Sequence, residues 1–122
     1  MTAIVSRTAL ANALAVALPT AAVHAIPPGS VAGPAIVLSP AGWDQHNMAQ
    51  VAYHVEIHCL HNAPDTSTAH EYLEVMAATT YLTCLLNGWA VASVKPTDAV
   101  EYAGQPFLAI TMTATRLVTL AT

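Results

Sequence analysis

Between Tyr53 and His61 the chain reads Tyr-His-Val-Glu-Ile-His-Cys-Leu-His, a stretch that holds three of its 6 histidines and one of its 2 cysteines. In an extended strand successive side chains point to opposite faces, so His54, Glu56 and His58 share one side. Residues two apart on a strand lie about 6–7 Å apart between Cα atoms. From that spacing two imidazoles and a carboxylate can converge on a zinc or iron ion. A catalytic metal also needs an open coordination position, a shaped pocket and hydrogen bonds that orient its ligands. None of these can be read here, and His46 or His61 would join only if loops placed them. A polar alternating face is also what any half-exposed strand carries. A small metal-binding protein or metalloenzyme using His54, Glu56 and His58 therefore stands as an alternative, and no metal or other cofactor is expected.

Nucleophilic chemistry has less support. Cys59 beside His58 or His61 resembles a thiol–imidazole pair, but alternation puts Cys59 with Tyr53, Val55 and Ile57 on the apolar side. Burial there raises a thiol's pKa and leaves it inert. Cys59 and Cys84 show no metal-type spacing and read as two buried small side chains; a disulfide would require an oxidising compartment. The chain has no G-x-S-x-G and no G-x-x-x-x-G-K-[ST], and Gly29 and Gly33 make no dinucleotide fingerprint. Glu71 and Glu74 fall on the outer side of a helix. We expect no catalytic residues and no enzyme.

The elements that position these side chains follow from periodicity. Leu10, Leu14 and Leu18 recur at helical spacing with Ala11 and Ala17 beside them, and Ser6 and Pro19 offer a start and a stop. The same segment has features of a secretory signal: Arg7, an apolar Thr8 to Leu18, and Val23-His24-Ala25 as a small-residue site. Asn12 interrupts that run and its alanines keep it only modestly hydrophobic, so a first helix is the preferred reading, with a secreted binding domain the weaker one. No stretch reaches the length of a membrane span. A short strand at Ala22 to Ile26 is broken by Pro27-Pro28-Gly29-Ser30. Ala35 to Ser39 reads as a strand ended by Pro40, and Ala41 to Asn47 as a loop or flap. Met48 to Leu60 alternates cleanly and forms the longest strand.

After a turn at Asn62-Ala63-Pro64-Asp65, a helix is expected from about Thr66 to Asn87. Thr68 with Glu71 fits a capping box, with Asp65 and Ser67 as rival caps. Tyr72, Val75, Met76, Thr79, Leu82, Thr83 and Leu86 make its stripe, and Gly88 closes it in a left-handed conformation with Trp89 folded back. Trp89 to Val94 is a strand. Val100 to Tyr102 and Phe107 to Val118 form a hairpin around Ala103-Gly104-Gln105-Pro106. Leu108, Ile110, Met112 and Ala114 alternate with Ala109, Thr111, Thr113 and Thr115, leaving a hydroxyl-lined face. The class is α+β: one domain over 1–122, a mainly antiparallel sheet with two helices packed on one face, in the order α-β-β-β-α-β-β-β.

Composition narrows the function. Of 122 residues only 8% are charged while 55% are hydrophobic, against about 25% charged in an average soluble domain. Such a surface is expected to be partly covered by partners. Net charge is −4, with 3 Lys and Arg (Arg7, Lys95, Arg116), so a protein that grips nucleic acid is not expected. Trp43, Tyr102 and Phe107 lie in or beside loops, where aromatic residues serve as interface anchors. With Pro27, Pro28 and Gln105 they are the candidate assembly residues.

The ordered set of segments resembles a known family. It comprises the helix ending Ala17-Leu18-Pro19, Val23 to Ser30, the strand Pro34 to Leu38, the long central strand, the helix ending Asn87-Gly88-Trp89, and the hairpin at Tyr102-Ala103-Gly104-Gln105 leading to a Thr/Val strand. Their order and length are similar to those of the small tail-terminator proteins of long-tailed phages, particularly those infecting actinobacteria. The resemblance implies a virion structural protein made in the host cytoplasm. It would be a hexameric ring that caps the head-proximal end of the tail tube, stops tube polymerisation and joins the tail to the head. The implied partners are other copies of the chain, the tail tube protein and a neck or head-completion protein. DNA would pass through the lumen without specific binding, and no membrane is involved. Another neck protein, such as a head-completion or connector subunit, is the nearest alternative. The histidine-rich strand departs from the family pattern.

Overall fold

The computed structural model describes residues 3–62 and 66–119. In chain order the elements are α1 (Ala3–Ala17), β1 (Ala22–His24), β2 (Ala35–Gln45), β3 (Gln50–His61), α2 (Ser67–Leu86), β4 (Ala90–Val94), β5 (Asp98–Tyr102) and β6 (Gln105–Thr119). The strands make one mixed sheet in the order β1-β2-β3-β6-β4, with β5 also paired to β6. Among the described residues, only the β1–β2 pair is parallel. The architecture is the expected α+β arrangement.

β3 lies at the centre of the sheet, and its alternation places it. Tyr53, Val55, Ile57 and Cys59 are buried among Leu10, Leu14, Leu73, Met76 and Trp89 beneath the helices. Burying such side chains is worth about 1.5–3 kcal/mol each, so a one-residue slip that turned them outward is disfavoured across the whole strand. The other face has a smaller apolar cluster at one end, where Val31, Ala35, Val37, Leu60, Phe107 and Ala109 pack with Val100 and Tyr102. The rest of that face carries His54, Glu56 and His58 opposite Thr115, Thr113 and Thr111.

Several local expectations are corrected. Ser6 does not cap α1; the helix begins at Ala3 and buries Ser6 within it. Leu10 and Leu14 nevertheless form the expected buried stripe. β2 does not stop at Pro40 but runs to Gln45, paired to β3 across a bulge between Pro40 and Trp43. β1 meets β2 only at Ala35, Ile36 and Val37, so Pro40 lies where β2 is an edge and its missing N–H is tolerated. Gly42, at φ +88°, supplies the left-handed step of the bulge that only glycine takes without strain.

On α2 the N-cap is Thr66, whose hydroxyl accepts from the Ala69 N–H at 3.2 Å; Thr68 and Ser67 lie beyond it, in the first turn. The turn at Ala63-Pro64-Asp65, and Asp65 as a rival cap, lie outside the described residues. The buried side of α2 is Ala69, Leu73, Met76, Ala77, Thr80, Thr83 and Cys84. Of the stripe expected from spacing, Met76 and Thr83 are buried, while Tyr72, Val75, Leu82 and Leu86 are exposed. The C-terminal end closes as expected. Gly88 takes φ +82°, and Trp89 N–H and Gly88 N–H donate back to Cys84 O and Leu85 O at 2.9 and 3.3 Å, the double bond pattern of a Schellman cap. Trp89 is buried edge-on to Tyr53, ring centroids 6.1 Å apart.

Candidate assembly surfaces

Two histidines of β3, His54 and His58, are held by their cross-strand threonines. His54 Nε2 lies 2.8 Å from Asp44 Oδ2 and Nδ1 lies 2.8 Å from Thr115 Oγ1. A carboxylate only accepts, so Nε2 carries a proton and donates it to Asp44. His58 Nδ1 shares a hydrogen bond with Thr111 Oγ1 at 3.1 Å, and its Nε2 sits 3.7 Å from Glu56 Oε1. Burial holds the His58 imidazole below its ordinary pKa, opposed by the Glu56 carboxylate and aided by Lys95. His61 is on the helix side, edge-on to Tyr72, and His46 is exposed on the β2–β3 hairpin. The arrangement separates the imidazoles between different partners. Among the described residues no group of three or more His, Cys, Asp or Glu side chains is placed to hold a metal ion.

The thiols behave as the alternation of β3 demands. Cys59 and Cys84 are free and buried. Burial pushes Cys59 up to about 11, with the Thr80 hydroxyl opposing, and pushes Cys84 up to about 12. Thiols so protonated at neutral pH are poor nucleophiles. Two of the cations also serve the fold. Arg7 donates to the Tyr53 hydroxyl at 2.7 Å, and Arg116 donates to the carbonyl of Asn87 at 3.3 Å, where the α2 dipole favours positive charge.

The candidate assembly residues divide into two groups. Phe107 is not a surface anchor: it is 3% exposed, inside the second apolar cluster. The turn holds only Ala103 and Gly104, both at positive φ, so Gln105 and Pro106 belong to β6 and alternation turns Phe107 inward. Tyr102 is half-buried and donates its hydroxyl to the carbonyl of Pro28 at 2.6 Å, so both help fasten the Pro27–Val31 segment over the sheet. Pro27 and Gln105 remain exposed. Trp43 is 60% exposed and borders a shallow hollow of about 220 Å³ with Pro40, Gly42 and Tyr53.

Two surfaces were not anticipated. Met48, at the hairpin tip, is 99% exposed. The outer side of α2 exposes Val75, Leu82 and Leu86, and beside it a groove of about 610 Å³ runs between α2 and the β4–β5 connection. One signal for the outer side was available: apart from Glu71 and Glu74, α2 carries apolar residues on both of its sides, more than one buried stripe uses.

These features define an α+β domain with apolar surface left open on one helix and one hairpin. No helix among the described residues is long and apolar enough to cross a membrane. Neither a scan against protein-family models nor a search of curated proteins returns a match to the chain.

Proposed function

We propose that this chain is a virion assembly protein that acts as a phage tail terminator. In this reading it forms a ring, of six copies by the family resemblance, on the head-proximal end of the tail tube, stops tube growth and presents the surface that joins the neck. The observation that carries the assembly reading is the outer side of α2, which leaves Val75, Leu82 and Leu86 in solvent on a chain with 8% charged residues. A contiguous apolar patch of this kind marks an interaction surface. The mechanism is geometric: a head-to-tail contact whose rotation closes gives a ring, whereas one that does not close gives a fibre. Low positive charge suits a lumen that lets DNA pass, since tight phosphate binding needs several cations on one face.

Electron microscopy of the purified protein, with light scattering for mass, tests this reading. Closed rings that bind tail-tube ends and limit tube length are the expected result. A monomer at every accessible concentration, with no affinity for tubes, would overturn it.

A further inference from the structure

Resting on that ring reading, we propose that subunits join by seating the β2–β3 hairpin tip of one copy in the α2 groove of the next. The tip is a preorganised knob. His46 and Asn47 N–H groups both donate to the Gln50 carbonyl, at 3.0 and 3.1 Å. The Asn47 side chain in turn accepts from the N–H groups of Ala49 and Gln50 at 2.9 and 2.8 Å. Met48 is held out from this closed turn, with Trp43 behind it on the same hairpin. A rigid turn loses little conformational freedom on docking. Tryptophan is the residue most enriched among central interface anchors, and methionine adapts to an irregular pocket.

The groove has the matching chemistry. Ala78, Tyr81, Leu82, Val94 and Pro96 line it with the buried Ile110, and Glu74 and Lys95 add one charge of each sign. The hairpin carries the charge complement to Lys95 in Asp44, 80% of whose side chain is exposed while one oxygen holds His54, and the exposed His46 offers an imidazole N–H to the Glu74 carboxylate. Asp44 can meet Lys95 and His46 can meet Glu74 while Trp43 and Met48 fill the apolar trough.

One copy cannot satisfy itself. The tip projects past the pair Gln50–Thr119, whereas the groove lies at Ile110 on β6. That stretch of strand spans about 30 Å. The occupant is therefore a second copy, and the contact joins two different surfaces: repeated with a rotation that closes at more than two copies it gives a ring, whereas reciprocal seating of two copies would give a two-fold dimer.

The test uses two full-length variants, both changed only at exposed positions: a tip variant (Trp43→Ser with Met48→Ser) and a groove variant (Ala78→Trp). Light scattering should find each monomeric, with association weakened by about a hundredfold or more, the effect of losing a central anchor. Mixed together they should form a one-to-one dimer and nothing larger, because only one competent tip and one competent groove remain. Rings persisting in either variant while the unchanged protein also forms rings would overturn this contact and leave the ring reading standing. A mixture that stays monomeric would likewise overturn it. An unchanged protein that is itself monomeric would remove both.

Discussion

β3 and α2 are both amply apolar, yet they meet the core in opposite ways. On β3 the two faces differ in chemistry: Tyr53, Val55, Ile57 and Cys59 are buried, and His54, Glu56 and His58 turn to the threonine side. On α2 the chemistry does not sort by face. Thr80 and Thr83 are buried while Leu82 and Leu86 are exposed. The inversion costs little because each buried threonine hydroxyl donates to a carbonyl one turn back, Thr80 to Met76 and Thr83 to Thr79, at 2.8 Å. A satisfied hydroxyl avoids the penalty of an unpaired polar group. Small side chains also let the helix lie close to the sheet, and the bulky Leu82 and Leu86 are left outward.

The largest effect that sharpens this contrast comes from truncating each side of α2. Leu73→Ala should destabilise by about 2–5 kcal/mol in denaturant melts, the cost of a buried cavity. Leu82→Ala, measured in the monomeric tip variant, should stay within about 0.5 kcal/mol; equal costs would erase the distinction between the sides. At the end of α2, Gly88→Ala should cost about 1–2 kcal/mol. An added Cβ there would meet only the Arg116 guanidinium at 3.9 Å, so the cost comes from the positive φ and not from a clash. Thr66→Ala should cost about 1 kcal/mol and Thr68→Ala almost nothing; the reverse order in thermal melts would move the helix start.

The smallest effect concerns the polar side of β3. His58 is held below its ordinary pKa of 6.5 by burial. Below that pH the unfolded chain takes up the proton first, so stability is full above 6.5 and falls with acidification until the folded value is passed. His58→Asn should flatten that part of the stability–pH curve; an unchanged slope would show that His58 does not contribute to it.

Much of this was legible in advance, for identifiable reasons. The faces of β3 follow from a period of two that no neighbour could disguise. The closure at Gly88 follows from a local requirement for positive φ. The inertness of Cys59 follows from its place in the alternation. The errors fell where long-range pairing overrides a local signal. Pro40 and Gly42 are breakers by type, but pairing of Trp43, Asp44 and Gln45 with β3 keeps that segment a strand. Phe107 sits next to Pro106 and looks like a loop residue, until a turn of only two residues shifts both into β6 register. The caps of α1 and α2 were misplaced by a few residues, within one turn, because serines and threonines crowd both starts.

The sequence by itself determined the α+β class, the order of elements, the buried side of β3 and the scarcity of charge, because periodicity and local backbone demands are written residue by residue. Only the tertiary structure decided which side of α2 meets the sheet, how His54 and His58 are divided among Asp44, Thr115 and Thr111, and that a rigid tip and an open groove lie at different places on one chain. The reason is physical. When both sides of a helix are apolar, burial is chosen by fit against the sheet and not by hydrophobicity, and what fits worst is left exposed.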